Sequence, residues 1–355
     1  MNMEHGIEIA GRRITRDGSP LIIAEIGVNH DGDMGVARAL VEAAKHAGAD
    51  AVKFQLFEAD QLLAREAGLV EYQKPAAGGG GVRELLQPLE LIAGDLAALV
   101  ACAKGLNMAA VVTPFSPGLV NVALACGAQA IKLASPDLVN RPLLEEAMAT
   151  RLPLILSTGA ARMDEIAETL AWLGEARSRT VLLHCVSSYP TPPEQATLAA
   201  IRVMRTEWQD LPIGYSDHTT DTFTGALAVA AGACVLEKHL TLDRNRRGPD
   251  HAASLELPQF REYVSLAKQA YVMRGPYAKG VLDIEREVRQ QTRQSVAAAK
   301  DLAAGTILRR EDLTVMRPGT GIPAAGLKDL IGRKLLRQVG KAALMQFADL
   351  GDPED

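Results

Sequence analysis

The chain has 355 residues, of which 48% are apolar and 23% charged, and its formal net charge is −5, as is typical of a globular protein with two domains or one large domain and an appendage. An acidic chain without a basic run does not suit non-specific nucleic-acid binding, no apolar stretch reaches the length of a membrane span, and the polar N-terminus (residues 1–13) lacks the apolar core of a signal peptide. We therefore expect a cytoplasmic protein with neither a nucleic-acid nor a membrane partner, in which the four scattered cysteines are free thiols.

The first predicted unit is a strand, a helix and a second strand. Residues 21–24 are continuously apolar, as in a strand that is buried on both faces. Residues 36–47 repeat apolar side chains at helical spacing, and Gly48 is the expected C-terminal stop. Residues 51–56 then predict the next strand, so this part of the chain is a βαβ unit.

Similar units recur along the chain. The further predicted strands cover residues 109–113, 130–134, 154–157, 181–184, 213–216 and 235–238, with helical patterns between them. Eight such strands predict a (β/α)8 TIM barrel. The alternative is a doubly wound open sheet, but no Gly-x-Gly-x-x-Gly turn follows the first strand.

One connection, between Phe57 and Asn107, is much longer than the others and includes four consecutive glycines, Gly78 to Gly81. Glycine runs have high backbone entropy and pack poorly. The connection is either a lid over the barrel mouth or a tolerated surface insertion.

The C-terminal part of the chain changes character. We predict a barrel domain over residues 1–273 and a charged linker over residues 274–294. Residues 295–355 have short apolar pieces and many turns, which predict a small, mostly β module.

Polar side chains end nearly every predicted strand, and barrel enzymes carry their sites at this rim. Lys53 and Lys132 interrupt apolar strands, and burying an ammonium without a partner is costly. With the hydroxyl groups at neighbouring strand ends, the two lysines indicate a dianionic ligand such as a phosphate ester. The alternative for each lysine is a buried ion pair, for example that of Lys53 with Glu25.

His218 and His239 each follow one of two successive strands. If both side chains reach the same rim, two imidazoles can hold a divalent metal ion. The alternative is that each histidine only satisfies a local hydrogen bond.

Several motifs, spread in order over nearly the whole chain, resemble those of the sialic acid synthase family. They are residues 24–32 (AEIGVNHDG), 53–55 (KFQ), 113–115 (TPF), 157–159 (STG), 189–192 (YPTP), 214–218 (GYSDH), 237–239 (EKH), 247–251 (RGPDH) and 317–321 (RPGTG).

The resemblance implies a phosphoenolpyruvate-dependent transferase. Such enzymes condense phosphoenolpyruvate with the open aldehyde form of an N-acylated hexosamine, form a C–C bond and release phosphate. The implied phosphoenolpyruvate-binding residues are Lys53, Thr113, Lys132, Ser135, Ser157, Ser187 and Ser216. The implied sugar-binding residues are Gln55, Tyr189, Asp250 and Arg317. The implied catalytic residues are Glu25, Asp137 and His239.

The resemblance also implies a cofactor and a partner. His218 and His239 would hold Mn²⁺ or Mg²⁺, which polarises the sugar aldehyde. The C-terminal module resembles the antifreeze-like (SAF) domain, which in the family is exchanged across a homodimer. Arg317 would then close the partner's barrel over the sugar.

Three departures from the family pattern concern the sugar side. Ser187 stands where Asn is found in some members, Pro136 and Asp137 stand where Gly and Glu are common, and the glycine run replaces a sugar-contacting loop. The resemblance implies N-acetylmannosamine or a related sugar as the acceptor, and these departures leave its identity open. The alternative is a legionaminic or pseudaminic acid synthase acting on a 2,4-diacetamido-2,4,6-trideoxyhexose.

Two other classes of protein compete with this interpretation. A barrel metallohydrolase would also use histidines and Asp250, but such sites commonly need a third or fourth protein ligand. A surface-binding or ice-binding protein would depend on the C-terminal module, and it would have no need of lysines at the barrel rim.

Overall fold

The computed structural model describes residues 6–351. Residues 1–5 and 352–355, the outermost parts of the two predicted domains, lie outside the described residues. The described chain divides into two compact units between Pro276 and Tyr277.

The first unit contains an antiparallel hairpin and a closed parallel barrel. The hairpin strands are β1 (Gly6–Ile9) and β2 (Arg12–Thr15). The barrel strands are β3 (Leu21–Gly27), β4 (Ala51–Leu56), β5 (Ala109–Pro114), β6 (Ala130–Leu133), β7 (Leu154–Ser157), β8 (Thr180–Cys185), β9 (Ile213–Asp217) and β10 (Val235–His239). They pair in chain order, and β10 closes the ring on β3. The predicted TIM barrel is confirmed, and the open sheet is wrong.

Helices follow the barrel strands. They are α1 (Met34–Ala47), α2 (Ala59–Leu62), α3 (Lys74–Ala77), α4 (Val82–Leu86), α5 (Ala93–Gly105), α6 (Pro117–Ala125), α7 (Arg141–Ala149), α8 (Met163–Trp172), α9 (Ala199–Glu207), α10 (Thr224–Ala231) and α11 (Leu257–Arg274). Helix α1 shows why they begin and end where they do. The Asp33 side chain accepts from the amides of Gly35 and Val36, and Gly48 ends the helix in the left-handed conformation.

Side chains of the barrel strands alternate between two buried layers. On β3 and β4, Ile22 and Val52 face outward and pack in the layer that includes the helices. Ile23 and Ala51 face inward and belong to a second cluster inside the barrel. Lys53 follows Ala51 on the same face, so strand alternation alone directs its side chain into the barrel.

The hairpin closes the amino end of the barrel. Its residues Ile7, Ile9 and Ile14 are buried in the same cluster as Ile23 and the inward-facing Val181. We did not predict this hairpin from the polar N-terminal sequence. Because apolar side chains fill this end, the polar inward-facing residues lie at the carboxyl ends of the strands.

The long connection between β4 and β5 is structured. It contains α2, α3 and α4 and then α5, a helix that our sequence analysis did not identify. Leu62 and Leu86 pack against a small buried cluster formed by Val28, Phe57 and Leu89. The glycine run lies between α3 and α4 and is exposed.

The second unit contains one further helix, α12 (Arg286–Thr292), which lies within the predicted linker, and a hairpin of β11 (Ser295–Ala298) and β12 (Leu313–Met316). Isolated bridges and short 3₁₀ turns complete it around a small apolar core. Within residues 6–351, no single helix is long and apolar enough to span a bilayer, although the bent pair Val82–Leu89 and Ala93–Gly105 passes when taken together.

Candidate active site

A cavity of about 810 Å³ lies at the carboxyl ends of the barrel strands. Most of the site residues inferred from sequence line it together: Lys53, Gln55, Thr113, Lys132, Ser135, Asp137, Ser157, Ser187, Tyr189, Ser216, His218, His239 and Asp250. Glu25 is fully buried directly beside Lys53. The lysines and the two imidazoles therefore face one cavity, as the sequence predicted.

The floor of the cavity is a buried network of charges. Nζ of Lys53 lies 3.2 Å from Oε2 of Glu25 and 3.1 Å from Oε1 of Glu237. Nζ of Lys132 lies 3.8 Å from the other oxygen of Glu237, and the Ser216 hydroxyl donates to Oε1 of Glu237 at 2.9 Å. The ion pair between Lys53 and Glu25 that we considered is present, but it is part of a larger network that opens into the cavity.

Burial and the neighbouring charges shift the pKa values of the residues in this network. Burial raises the pKa of Glu25 to about 7, against the attraction of Lys53. Burial lowers the pKa of Lys132 to about 8, although Glu237 opposes the shift. Burial would raise the pKa of Glu237, but Lys132 and Lys53 outweigh it and hold that pKa below its usual range. Glu237 is therefore the fixed negative charge of the network, and Glu25 is able to exchange a proton near neutral pH.

Hydroxyl groups form one wall of the cavity. The amide of Gly159 donates to Oγ of Ser135 at 3.0 Å. A Cβ at position 159 would lie 2.3 Å from Oγ of Ser187 and 2.7 Å from Oγ of Ser135, so these hydroxyls converge only around a glycine. The side-chain oxygens of Thr113 and Ser157 are buried without a hydrogen-bond partner. Two unpaired buried hydroxyls beside two ammonium groups suit a polyanionic ligand.

The two imidazole rings of His218 and His239 have centroids 5.3 Å apart. Nδ1 of His218 is 2.8 Å from the carbonyl oxygen of Val186, which fixes the ring orientation and leaves Nε2 available. Burial, with the neighbouring His218 and Lys53, holds the pKa of His239 well below its usual value, so its imidazole is neutral and can act as a ligand. This pair of nitrogen donors fits a first-row divalent metal ion.

The metal-hydrolase alternative needs more protein ligands than the cavity supplies. Over residues 6–351, no group of three or more His, Cys, Asp or Glu side chains could hold a metal ion. Within these residues, a metal held by His218 and His239 would leave coordination positions for water or substrate. That arrangement favours a metal that contacts a substrate oxygen over a closed hydrolytic centre.

The outer part of the cavity is aromatic and apolar. The ring of Tyr189 lies 3.9 Å from that of His218 and stacks on Tyr72 at 4.8 Å, centroid to centroid. Other lining residues come from the long connection: Leu62, Leu63, Val70, Val82 and Leu86. The connection therefore supplies a wall of the cavity, although Gly78 to Gly81 are not among the lining residues.

Two carboxyl groups flank the cavity. Asp137, on the 3₁₀ turn Ser135–Asp137, accepts from Nδ2 of Asn140 at 3.0 Å, and burial raises its pKa. Oδ2 of Asp250 lies 3.5 Å from Nδ1 of His239, and burial raises its pKa too. Both groups are therefore more easily protonated than an exposed aspartate.

Two groups in the cavity were not predicted from the sequence. Glu237 was seen only as a polar strand end, although it lies two residues before His239 and so on the same inward face of β10. Tyr72 had no signal, because its position depends on the fold of the long connection. Arg317 follows β12 in the second unit, so its contact with a sugar stays a prediction.

A closed barrel of eight parallel strands with a polar, imidazole-bearing cavity at their carboxyl ends is the architecture of a TIM-barrel enzyme. Comparison with family models is more specific: the NeuB family matches residues 40–279 and the SAF domain matches residues 293–351. The chain belongs to the NeuB family, whose members are synthases of sialic, legionaminic and pseudaminic acids.

Individual relatives are similar over most of the chain. The N,N'-diacetyllegionaminic acid synthase of Legionella pneumophila is 38% identical over 320 residues, which cover 88% of this chain and 90% of the relative. The enzyme of the same name from Campylobacter jejuni is also 38% identical, covering 88% of this chain and 95% of the relative. The crystal structure of N-acetylneuraminic acid (sialic acid) synthetase from Leptospira borgpetersenii has a TM-score of 0.73 and 31% identity, covering 80% of this chain and 95% of that one.

Proposed function

We propose that this protein condenses phosphoenolpyruvate with an N-acylated hexosamine to give a nonulosonic acid and phosphate. The observation that carries the proposal is that Lys53, Lys132, His218 and His239 line one cavity. Two ammonium groups suit an enol phosphate, and two imidazoles suit the metal that would hold an aldehyde.

The phosphoenolpyruvate would lie on the charged floor. Lys53 and Lys132 would contact its phosphate and carboxylate, with the hydroxyls of Thr113 and Ser157 as additional donors. Each ammonium–phosphate contact is worth a few kcal/mol at an effective dielectric constant of about 20. Glu237 would keep both ammonium groups in place without itself touching the ligand.

The acceptor would lie above the floor, between Gln55, Tyr189 and Asp250. In the reaction, C3 of phosphoenolpyruvate forms a bond to the aldehyde carbon of the sugar. The aldehyde oxygen would take up a proton from Glu25, whose pKa of about 7 suits a proton donor near neutral pH. Water then adds to C2 and gives a proton to Asp137. The C2–O bond to phosphate breaks and the C2 hydroxyl becomes the ketone, its proton passing to the departing phosphate.

A divalent cation, Mn²⁺ or Mg²⁺, held by His218 and His239 would supply Lewis-acid polarisation of the aldehyde. The part played by the chain is to keep the rings in position. Val186 fixes the His218 ring through its carbonyl oxygen, and Tyr189 covers it.

The apolar wall favours one class of acceptor. Leu62, Leu63 and Val82 offer no hydrogen bonds, so a sugar hydroxyl placed against them would lose its hydration, whereas a methyl group would gain about 0.8 kcal/mol on burial. A 2,4-diacetamido-2,4,6-trideoxyhexose has three methyl groups to place there. The names of the two relatives at 38% identity support this acceptor over N-acetylmannosamine.

The active form would be a homodimer with exchanged C-terminal units. Large apolar side chains are exposed in each unit: Met273 at 81% in the first, and Leu282 at 60% and Ile284 at 86% in the second. A second copy of the chain would cover such side chains. Arg317 would then complete the partner's site.

The test is an assay of phosphate release with a panel of amino sugars. We expect release only when phosphoenolpyruvate, an N-acylated amino sugar and a divalent cation are all present. The sugar product should have the mass of the two substrates plus water minus phosphate. Phosphate release without sugar, or hydrolysis of an unrelated substrate at the same site, would overturn the proposal in favour of a hydrolase.

A further inference from the structure

The loop after β10, residues 241–251, carries Asp250 and is called the rim loop here. It packs against the loop after β3, which carries Asn29 and Asp31. The two loops are joined by side chains that do not line the cavity. These joints lie outside the groups that our proposed reaction uses.

Asp31 makes the first set of contacts between the two loops, called the first joint here. Its Oδ1 lies 2.9 Å from Nε2 of His251, and its Oδ2 accepts from Nη2 of Arg246 at 2.8 Å. The other ring nitrogen of His251, Nδ1, lies 2.7 Å from Oγ1 of Thr241. His251 is only 1% exposed, so a buried ring with both nitrogens engaged links the first and last residues of the rim loop to one carboxylate.

Asn29 makes the second joint. Its side-chain amide donates to the carbonyl oxygen of Leu240 at 2.9 Å and to Oγ of Ser254 at 2.8 Å. The Ser254 hydroxyl in turn donates to the backbone carbonyl of Asp250 at 2.7 Å. Both amide hydrogens are used, and all three side chains are buried. The backbone of Asp250 is thus held from the β3 side of the barrel.

The geometry around the first joint is demanding. Asp31 has a positive φ of 52°, which few residues other than glycine, asparagine and aspartate adopt readily. A Cβ at position 248 would lie 2.6 Å from Cδ2 of His251, so the loop approaches the ring closely only because residue 248 is glycine. Such a conformation persists where the surrounding contacts determine it.

We propose that Asp31 and His251 are positioning residues: they hold the rim loop so that Asp250 stays beside His239 and faces the acceptor sugar. The inference rests on the proposed function for its kinetic consequence. Neither residue touches the phosphoenolpyruvate floor, so the effect of losing the joint falls on the acceptor.

The experiment uses Asp31→Asn, His251→Gln and the double variant in the full-length protein. Asparagine tolerates the positive φ, so Asp31→Asn removes the charge and leaves the backbone in place. We expect the KM for the acceptor to rise about tenfold in each single variant, as for other residues that orient a site residue, while the KM for phosphoenolpyruvate stays at its wild-type value. The KM for the acceptor in the double variant should not exceed the higher of the two single-variant values, because both changes break the same joint.

The matched control is Asp33→Asn. Asp33 is an exposed acid on the same loop that caps α1, and asparagine caps a helix equally well. It should leave both KM values unchanged.

Equal rises in both KM values, additive effects in the double variant, or an effect of Asp33→Asn equal to that of Asp31→Asn would overturn the proposal. Hydrogen exchange gives an independent readout that needs no turnover. In Asp31→Asn, the amides of residues 241–251 should exchange faster while those of α1 do not, and unchanged exchange of the rim loop would refute the joint. If the wild-type protein releases no phosphate with any sugar, the proposed function fails, and the exchange result still decides whether the joint exists.

Discussion

Nζ of Lys53 lies 3.1 Å from Oε1 of Glu237, across two strands that are not neighbours in the barrel. Strand β3 lies between them and contributes Glu25 to the same ammonium group. The floor of the cavity is therefore held by contacts across three strands before any ligand binds. This arrangement is preorganised, since an arriving anion meets ammonium groups that are already in place.

The first prediction concerns Lys53. Replacing it with methionine removes the charge and retains most of the volume, so kcat/KM for phosphoenolpyruvate should fall by about a hundredfold, which corresponds to a few kcal/mol. Lys45→Met, at an exposed position on α1, is the matched control. Circular dichroism must show a folded variant, because Glu25 and Glu237 lose a buried partner. A folded Lys53→Met protein with wild-type kcat/KM would contradict the assignment.

The second prediction concerns pH. Lys132, with a pKa of about 8, is protonated below that pH and neutral above it. Its attraction for an anion is therefore lost as the pH rises, and kcat/KM for phosphoenolpyruvate should fall above about pH 8. Lys132→Arg should remove this fall, because a guanidinium stays charged throughout. A profile of Lys132→Arg that bends at the same pH as the wild type would show that another group is responsible.

The third prediction concerns the imidazole pair. His239→Ala should abolish metal-dependent turnover and leave the fold intact. The variant keeps only the His218 imidazole as a nitrogen ligand, so we expect the metal ion to be lost. His46→Ala, on the exposed surface of α1, serves as the control. Binding of Mn²⁺ followed by paramagnetic resonance should disappear in His239→Ala and persist in His46→Ala. Full activity of a chelator-treated wild-type sample would refute the metal role.

The fourth prediction concerns the apolar wall. Leu63→Gln places an amide where we expect a methyl group of the acceptor, so the preference for the diacetamido trideoxy sugar over N-acetylmannosamine should fall about tenfold in kcat/KM. Leu227→Gln makes the same change at a half-exposed site on α10, which does not line the cavity. An unchanged preference in Leu63→Gln would show that the apolar wall does not determine which acceptor is used.

The fifth prediction concerns the second unit. Arg317→Ala and Lys53→Ala should each be strongly impaired alone. If Arg317 acts in the partner's barrel, mixed dimers contain one intact site, and subunit exchange should restore part of the activity. Recovery is measured after mixing and partial unfolding. Its absence, with mixed dimers demonstrated by mass, would count against action in trans.

Strand alternation made most of the site predictable from sequence. Lys53, Lys132 and His239 each share a face with apolar residues that fill the barrel, and the βαβ order fixes which ends meet at the rim. The same rule applied to β10 would have found Glu237.

Other parts depend on contacts that local sequence does not encode. Helix α5 is rich in Ala and Leu on most of its faces, so no apolar stripe marks it. Tyr72 reaches Tyr189 only through the fold of a connection with short helices and glycines. The joint between Asp31 and His251 links residues 220 positions apart, and the spacing of apolar residues in the sequence does not predict such a contact.

The hairpin that fills the amino end of the barrel has a kinetic consequence. Because Ile7, Ile9 and Ile14 fill that end, substrates and products would enter and leave through the cavity mouth at the carboxyl ends of the strands. If phosphoenolpyruvate binds on the charged floor, as we propose, it would have to bind before the sugar, and inorganic phosphate would leave after the new acid. Substrate binding and product release would then follow an obligatory order, which is set by the shape of the barrel cavity.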